Sequence, residues 1–243
     1  MQTILITGAN RGLGLEFVRQ YAADNDKVIA GCRQPEKADT LKELAKKYPN
    51  IQPEVLDVSD QSSIKRLADK LRDTAIDTLI NNAGIFSGTG RDGSHFMEDG
   101  EDKSQSFGSL DPIAWGKVLQ VNAIAPLMVT EAFIPNILKS KTRKIIMITS
   151  QMGSINNTQP GDIAYRSSKA ALNASMRNIA LELKDQGVTI ISVHPGWVKT
   201  DMGGSRAHLT PETSVTGIRK VIAEMTLKET AQFLSYDGKV IPW

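Results

Sequence analysis

Cysteine is almost missing: Cys32 is the only one in 243 residues. That excludes an intramolecular disulfide framework and suits a reducing compartment. Net charge is also scarce. The 29 basic and 27 acidic side chains leave +2 at neutral pH, so no broad positive footprint for nucleic acid is present. The three histidines, His95, His194 and His208, are scattered without ligand spacing; with only Cys32 to join them they predict no metal site. Long apolar runs are lacking too. The N-terminal run in MQTILITGANRG spans about five residues, has no basic flank and leads straight into a glycine turn. It reads as neither a signal peptide nor a membrane helix, and no other run approaches the ~20 apolar residues of a span. The expectation is a soluble, cytoplasmic protein with no membrane and no nucleic-acid partner.

What is present is an alternation. Short runs rich in Val and Ile predict strands at Thr3–Thr7, Lys27–Cys32, Ile51–Leu56, Thr78–Asn81, Lys144–Thr149 and Thr189–His194, several apolar throughout, as strands covered on both faces are. Amphipathic stretches predict helices at roughly Gly12–Ala23, Glu36–Lys47, Gln61–Asp73, Asp111–Lys139 (interrupted by Pro126 and Pro135), Ile163–Lys184 and Pro211–Glu224. A seventh, weaker strand lies in Gln232–Ser235, before an Asp237-Gly238 turn. The pattern reads as α/β: one Rossmann-type, doubly wound parallel sheet of about seven strands with helices on both faces, in a single domain over residues 1–243. Two stretches lack periodicity, Ser87–Leu110 and Pro195–Leu209. Both are expected to be mobile and to border a substrate pocket.

The turn between the first strand and helix reads Thr7-Gly8-Ala9-Asn10-Arg11-Gly12-Leu13-Gly14. Glycines permit a tight turn and close approach to a pyrophosphate, and the helix N-terminus offers free N–H groups to the anion. The second strand ends Cys32-Arg33, with no carboxylate to take a ribose 2′-hydroxyl. Arg33 and Arg11 can instead grip a 2′-phosphate, which favours NADPH over NADH. Cys32 is read as a small residue under the adenosine. Asp57-Val58 ends the third strand; Asp57 either accepts from the adenine amino group or caps the next helix. Asn81-Asn82-Ala83-Gly84 ends the fourth, with Asn82, Ala83 and Gly84 small enough for a ribose to pass close.

Tyr165 and Lys169 are four apart at the start of a helix, so they share a face. A cation near a phenol favours phenolate and is expected to lower its pKa, leaving a group that can give a proton to a carbinol oxygen or take one from it. Ser150, at the end of the preceding strand, can polarise a carbonyl at the same sheet edge.

TGANRGLG, NNAG, a strand-end serine and YRSSK, in that order, resemble the short-chain dehydrogenase/reductase family over the whole chain. The segment from Pro195 to Gly204 and the ending YDGKVIPW look more narrowly like its carbonyl reductase branch, with sniffer and C-factor. The resemblance implies a catalytic tetrad of Asn122, Ser150, Tyr165 and Lys169, with Asn122 kinking its helix and holding a relay water, and Lys169 also bonding the nicotinamide ribose. It implies that Pro195, Gly196, Val198 and Thr200 hold the nicotinamide carboxamide. Ser154 competes with Ser150, which matches better. Tyr165 follows Ser150 by 15 positions, slightly further than the family suggests, so Gln151–Ile163 is expected to contribute to substrate choice. Phe86, Met152, Trp197 and Met202 are pocket candidates. The function implied is NADPH-dependent reduction of a small-molecule ketone or aldehyde, the alternative being a cofactor-binding signalling protein. Relatives of this kind are commonly dimers or tetramers; the assembly here stays open.

Overall fold

The computed structural model describes residues 1–87 and 105–243. Seven parallel strands form one sheet in the order β3-β2-β1-β4-β5-β6-β7. They are β1 (Thr3–Thr7), β2 (Lys27–Cys32), β3 (Ile51–Val55), β4 (Thr78–Asn81), β5 (Lys144–Ile148), β6 (Thr189–His194) and β7 (Phe233–Ser235). Ile4, Leu5 and Ile6 all have zero exposure, because helices cover both faces. One face packs Phe17, Val18 and Tyr21 of α1 (Gly12–Ala23), Leu41 of α2 (Asp39–Lys47) and Ile218 of α7 (Pro211–Glu224). The other packs Ile64 and Leu67 of α3 (Gln61–Lys70), Val129 and Phe133 of α5 (Ala125–Leu138), and Leu172 and Met176 of α6 (Ile163–Leu183).

Local chemistry starts several helices where the sequence places them. Asp60 accepts from Ser62 N–H ahead of α3, and Thr210 from Thr213 N–H ahead of α7. Asp111 accepts from Ile113 and Ala114 N–H ahead of α4 (Pro112–Leu119). Pro112 and Pro211 then sit in the first turns, where a missing N–H costs nothing.

Three expectations are corrected. The stretch Glu36–Lys47 divides into one 3₁₀ turn, Pro35–Lys37, and α2, because Ala38 turns inward with non-helical angles (φ −92°, ψ 75°) and is buried. The Asp111–Lys139 stretch is interrupted by a π-helical turn at Gln120–Ile124 rather than by its prolines. The joined helix Pro112–Leu138 is long and apolar enough to cross a membrane, contrary to the reading that no run reaches that length. Half of its most apolar window is buried, and Val118, Val129, Phe133 and Ile137 supply core. Of the irregular stretch Ser87–Leu110, residues 88–104 lie outside the described residues.

The strand order reverses between β1 and β4. Successive strands are added outward from β1 to β3 on one side and outward from β4 to β7 on the other, all parallel, leaving a crevice at the carboxyl ends where α/β sheets bind ligands.

Candidate active site

The loops after β1 and β4 meet at that reversal and interlock. Thr7 Oγ1 accepts from the Asn82 and Ala83 N–H groups, each at 3.0 Å. Asn82 Nδ2 donates to the carbonyls of Thr7 (2.9 Å) and Gly8 (3.2 Å). Contact this close requires glycine. Gly8 has φ +65°, and a Cβ there would lie 2.9 Å from Ala83 Cα. A Cβ on Gly14 would fall 2.1 Å from the Gly8 oxygen.

A cavity of about 840 Å³ opens above this junction. Its wall carries Gly8, Asn10, Arg11, Gly12, Leu13 and Gly14 from the glycine turn, Cys32 and Arg33 after β2, and Asp57 and Val58 after β3. Asn82, Ala83, Gly84, Tyr165, Lys169, Pro195 and Thr200 complete the predicted set on the wall. Gly196 and Val198 stand behind it. Gly196 (φ +80°) packs where a Cβ would meet Leu209 at 2.3 Å, and Val198 is buried and bridged to Leu209. The volume suits a small-molecule site, for which ~300–1,000 Å³ is usual.

Cys32 is buried, and burial pushes its thiol pKa up, so it is no thiolate nucleophile. Asp57 does not cap the third helix, as one reading of it held. Its Oδ1 accepts from Ser59 N–H and Oγ (2.9 and 2.6 Å), and Asp60 is the cap. Sequence reasoning missed Gln34 and Lys37, which also face the cavity beside Arg33. Lys37 carried a signal, a second cation just after β2. It missed Asp201 as well, which lies on the wall and pairs with Arg11 at 3.6 Å.

Between β2 and β5 lie β1 and β4, three strand spacings or about 14 Å. Tyr165 and Lys169 occupy the β5 side. Both are buried, and Lys169 Nζ donates to the Ile148 carbonyl at 3.0 Å. The expected lowering of the phenol pKa is not found. Burial dominates and pushes Tyr165 up to about 12; a hydrogen bond with Ser150 opposes this, and Asp162 adds to it. Burial pulls the Lys169 ammonium down to about 8. The two serines separate cleanly. Ser150 reaches Tyr165, whereas Ser154 Oγ donates to the Pro242 carbonyl at 2.7 Å and anchors the C-terminal segment.

Asn122 lies in the π turn with zero exposure. Its Nδ2 donates to Ile85 O (2.7 Å) and Ser168 Oγ (3.1 Å), and its Oδ1 accepts from Ile85 N–H (2.9 Å). The helix distortion expected of it is present, and its amide holds the backbone beyond Gly84. Of the apolar pocket candidates, Met202 faces the cavity and Phe86 packs on the Tyr165 ring (centroids 4.8 Å). Met152 lines a second cavity, of about 710 Å³. Trp197 is 40% exposed, its Nε1 donating to Gly203 O and its ring edge-on to His208. Among the described residues no group of three or more His, Cys, Asp or Glu could hold a metal.

A doubly wound sheet with a glycine turn at its reversal point, facing a buried Tyr-Lys pair, defines a Rossmann-type dinucleotide oxidoreductase. Residues 2–209 match the short chain dehydrogenase family model, and the chain belongs to that family. It is similar to the carbonyl reductase Sniffer of D. melanogaster, with TM-score 0.87, 34% identity and full coverage of both chains. An NADPH-bound carbonyl reductase from chicken fatty liver gives TM-score 0.84 and 34% identity over 100% of this chain and 99% of that one. The C-signal protein of Myxococcus xanthus is 37% identical over 169 residues, 69% of this chain and 93% of its own length.

Proposed function

We propose that this chain is an NADPH-dependent reductase that converts a ketone or aldehyde to an alcohol, with Tyr165 as proton donor. The observation that carries the reading is the placing of Tyr165 and Lys169 on the same cavity wall as the glycine turn, with Ser150 hydrogen-bonded to the phenol. Arg33 and Lys37 line the cavity after β2, with no carboxylate among the residues that end β2, and Arg11 lines it from the glycine turn, 3.6 Å from Asp201. That distribution suits a cofactor carrying a 2′-phosphate, and the NADPH-bound chicken enzyme supports the same choice.

The residues fit a dinucleotide on structural grounds. The β1–α1 turn is glycine wherever backbone meets backbone, and α1 presents its N-terminus to the cavity. Gly8, Gly12, Gly14 and the α1 N-terminus would hold the pyrophosphate; Lys169 would bond the ribose near the nicotinamide. When bound there, the reduced nicotinamide would be the source of the hydride for the carbonyl carbon. Ser150 orients the substrate oxygen, and Tyr165 gives it a proton, so that carbonyl, hydride and proton sum to the alcohol. The resulting tyrosinate is steadied by the Ser150 hydrogen bond and by the Lys169 ammonium one helical turn away. Asn122 keeps the Ile85 backbone in place beside them.

The similarity to C-signal favours a second reading, a cofactor-binding signalling protein. One experiment separates the two: a broad panel of aldehydes and ketones, each with NADPH and NADH, followed by loss of reduced-cofactor absorbance. Turnover that prefers NADPH supports the reductase. Tight NADPH binding with no turnover on any carbonyl favours signalling. A cytoplasmic location is part of the proposal, and cell fractionation tests it.

A further inference from the structure

The helix that carries Tyr165 begins without a cap of its own. Asp162, the residue before α6, has left-handed backbone angles (φ 52°, ψ 37°), and its side chain makes no capping hydrogen bond. The first N–H groups of a helix have no partner within it. One of these is Tyr165's own, and Gln105 answers it: Oε1 accepts from the Tyr165 N–H at 2.8 Å, across 60 positions of sequence.

Gln105 does more than cap. It is 1% exposed, and its Nε2 donates to the Phe86 carbonyl at 3.2 Å. The Phe86 ring lies on the Tyr165 ring with centroids 4.8 Å apart and planes tilted by 37°. Asn122 holds both backbone groups of the preceding residue, Ile85. A buried amide left unpaired is costly, so both ends of Gln105 are committed, one to the strand β4 side and one to α6.

We infer that Gln105 is a positioning residue: by accepting the Tyr165 N–H while donating to the Phe86 carbonyl, it sets where the Tyr165 hydroxyl lies relative to Ser150 and the cavity. The inference rests on Tyr165 being the proton donor. Ser150, Asp162 and Lys169 are the polar and charged groups that face the phenol, and none of them restrains the first turn of α6 through the Tyr165 N–H. A displacement of about 1 Å in a reacting group can cost roughly 100-fold in rate, so a single hydrogen bond here has leverage on turnover.

Three variants test it in the full-length protein with NADPH. Gln105→Met keeps length and burial but loses both bonds. Gln105→Asn keeps the amide but is one methylene too short to reach both partners. Gln105→Glu, which burial would hold as the neutral acid, keeps an acceptor for the Tyr165 N–H and an O–H that can donate to the Phe86 carbonyl. Met and Asn should lower kcat roughly 10- to 100-fold, with NADPH affinity unchanged. Glu should stay closer to the parent than either. An activity-independent reading comes from the Tyr165 ring carbon that bears the hydroxyl, observed by NMR and assigned by its loss in Tyr165→Phe. Its signal should shift in Met and Asn and return toward the parent in Glu. If Met fails to fold, the contrast between Asn and Glu decides. Parent-like kcat in Met or Asn, equal losses in Asn and Glu, or a fall in kcat with the Tyr165 signal unmoved would each overturn the inference. Should the parent reduce no carbonyl, a shifted Tyr165 signal still upholds the positioning role while the reductase reading falls.

Discussion

Lys169 Nζ lies 5.8 Å from the centroid of the Tyr165 ring, one helical turn away, with both side chains buried. The cation is close enough to stabilise a tyrosinate once it forms. Burial pushes the phenol pKa up. Under the proposed mechanism the Tyr165 hydroxyl gives its proton to the substrate oxygen, and the Lys169 ammonium offsets the charge left behind.

Tyr165→Phe keeps the ring and its packing on Phe86 and removes only the hydroxyl. NADPH affinity should be retained, and kcat for carbonyl reduction should fall by about 10²–10⁴-fold. Steady-state kinetics beside cofactor fluorescence titration checks this; a variant as fast as the parent would refute Tyr165 as the acid.

Arg33→Ala should discriminate between cofactors. Hydrogen bonds to a charged group are worth about 1.5–3 kcal/mol, or roughly 10- to 100-fold in affinity. NADPH should weaken by that order and NADH barely change, with Lys37→Ala acting in the same direction. Equal weakening of both cofactors would remove the basis for 2′-phosphate recognition here.

Gly14→Ala places a Cβ 2.1 Å from the Gly8 carbonyl oxygen. The turn must open, because the clash is with backbone. Overpacking of this kind costs about 1–3 kcal/mol, so Tm should drop and dinucleotide affinity should fall with it. Calorimetry and cofactor titration report the two effects; an unchanged Tm and affinity would mean the turn is looser than this geometry.

His194 is partly buried, its Nδ1 has no hydrogen-bond partner among the described residues, and desolvation pulls its pKa from 6.5 to about 4, with Asp237 opposing. The unfolded chain therefore binds a proton that the folded one refuses. The stability this represents is fully present above pH 6.5 and is lost as pH falls through 4. It amounts to at most about 3 kcal/mol. The difference in unfolding free energy between parent and His194→Gln should narrow from pH 7 to pH 4. A difference independent of pH would show that His194 titrates normally.

Much of this molecule was legible from local signals. Thr3–Thr7, Lys27–Cys32, Thr78–Asn81 and Thr189–His194 form strands over the ranges their apolar runs mark, and Pro211–Glu224 forms a helix between the ends its sequence sets. These boundaries depend on neighbours within a few residues: a capping Thr, a first-turn Pro, a glycine that permits a turn. The cavity wall was legible in large part for the same reason, since the glycine turn and the strand-end residues are defined by where strands stop.

Contacts between distant residues were not legible. Asp57 was a plausible cap in sequence, and only the path of the chain gave that place to Asp60. Ser150 was preferred from its place at the strand end, but the tie between Ser154 and the C-terminal segment had no local signal. Gly196 and Val198 fell behind the wall once Leu209 packed against them.

The sequence by itself determined the alternation of strands and helices, the glycine turn and the Tyr-Lys spacing, because each is a property of residues adjacent along the chain. Only the tertiary structure decided the direction of the Tyr165 pKa and the partner of its N–H. Desolvation is the sum of everything packed around a group, and Gln105 reaches Tyr165 across 60 residues. Neither quantity has a local signature, since both arise only when remote parts of the chain exclude water together.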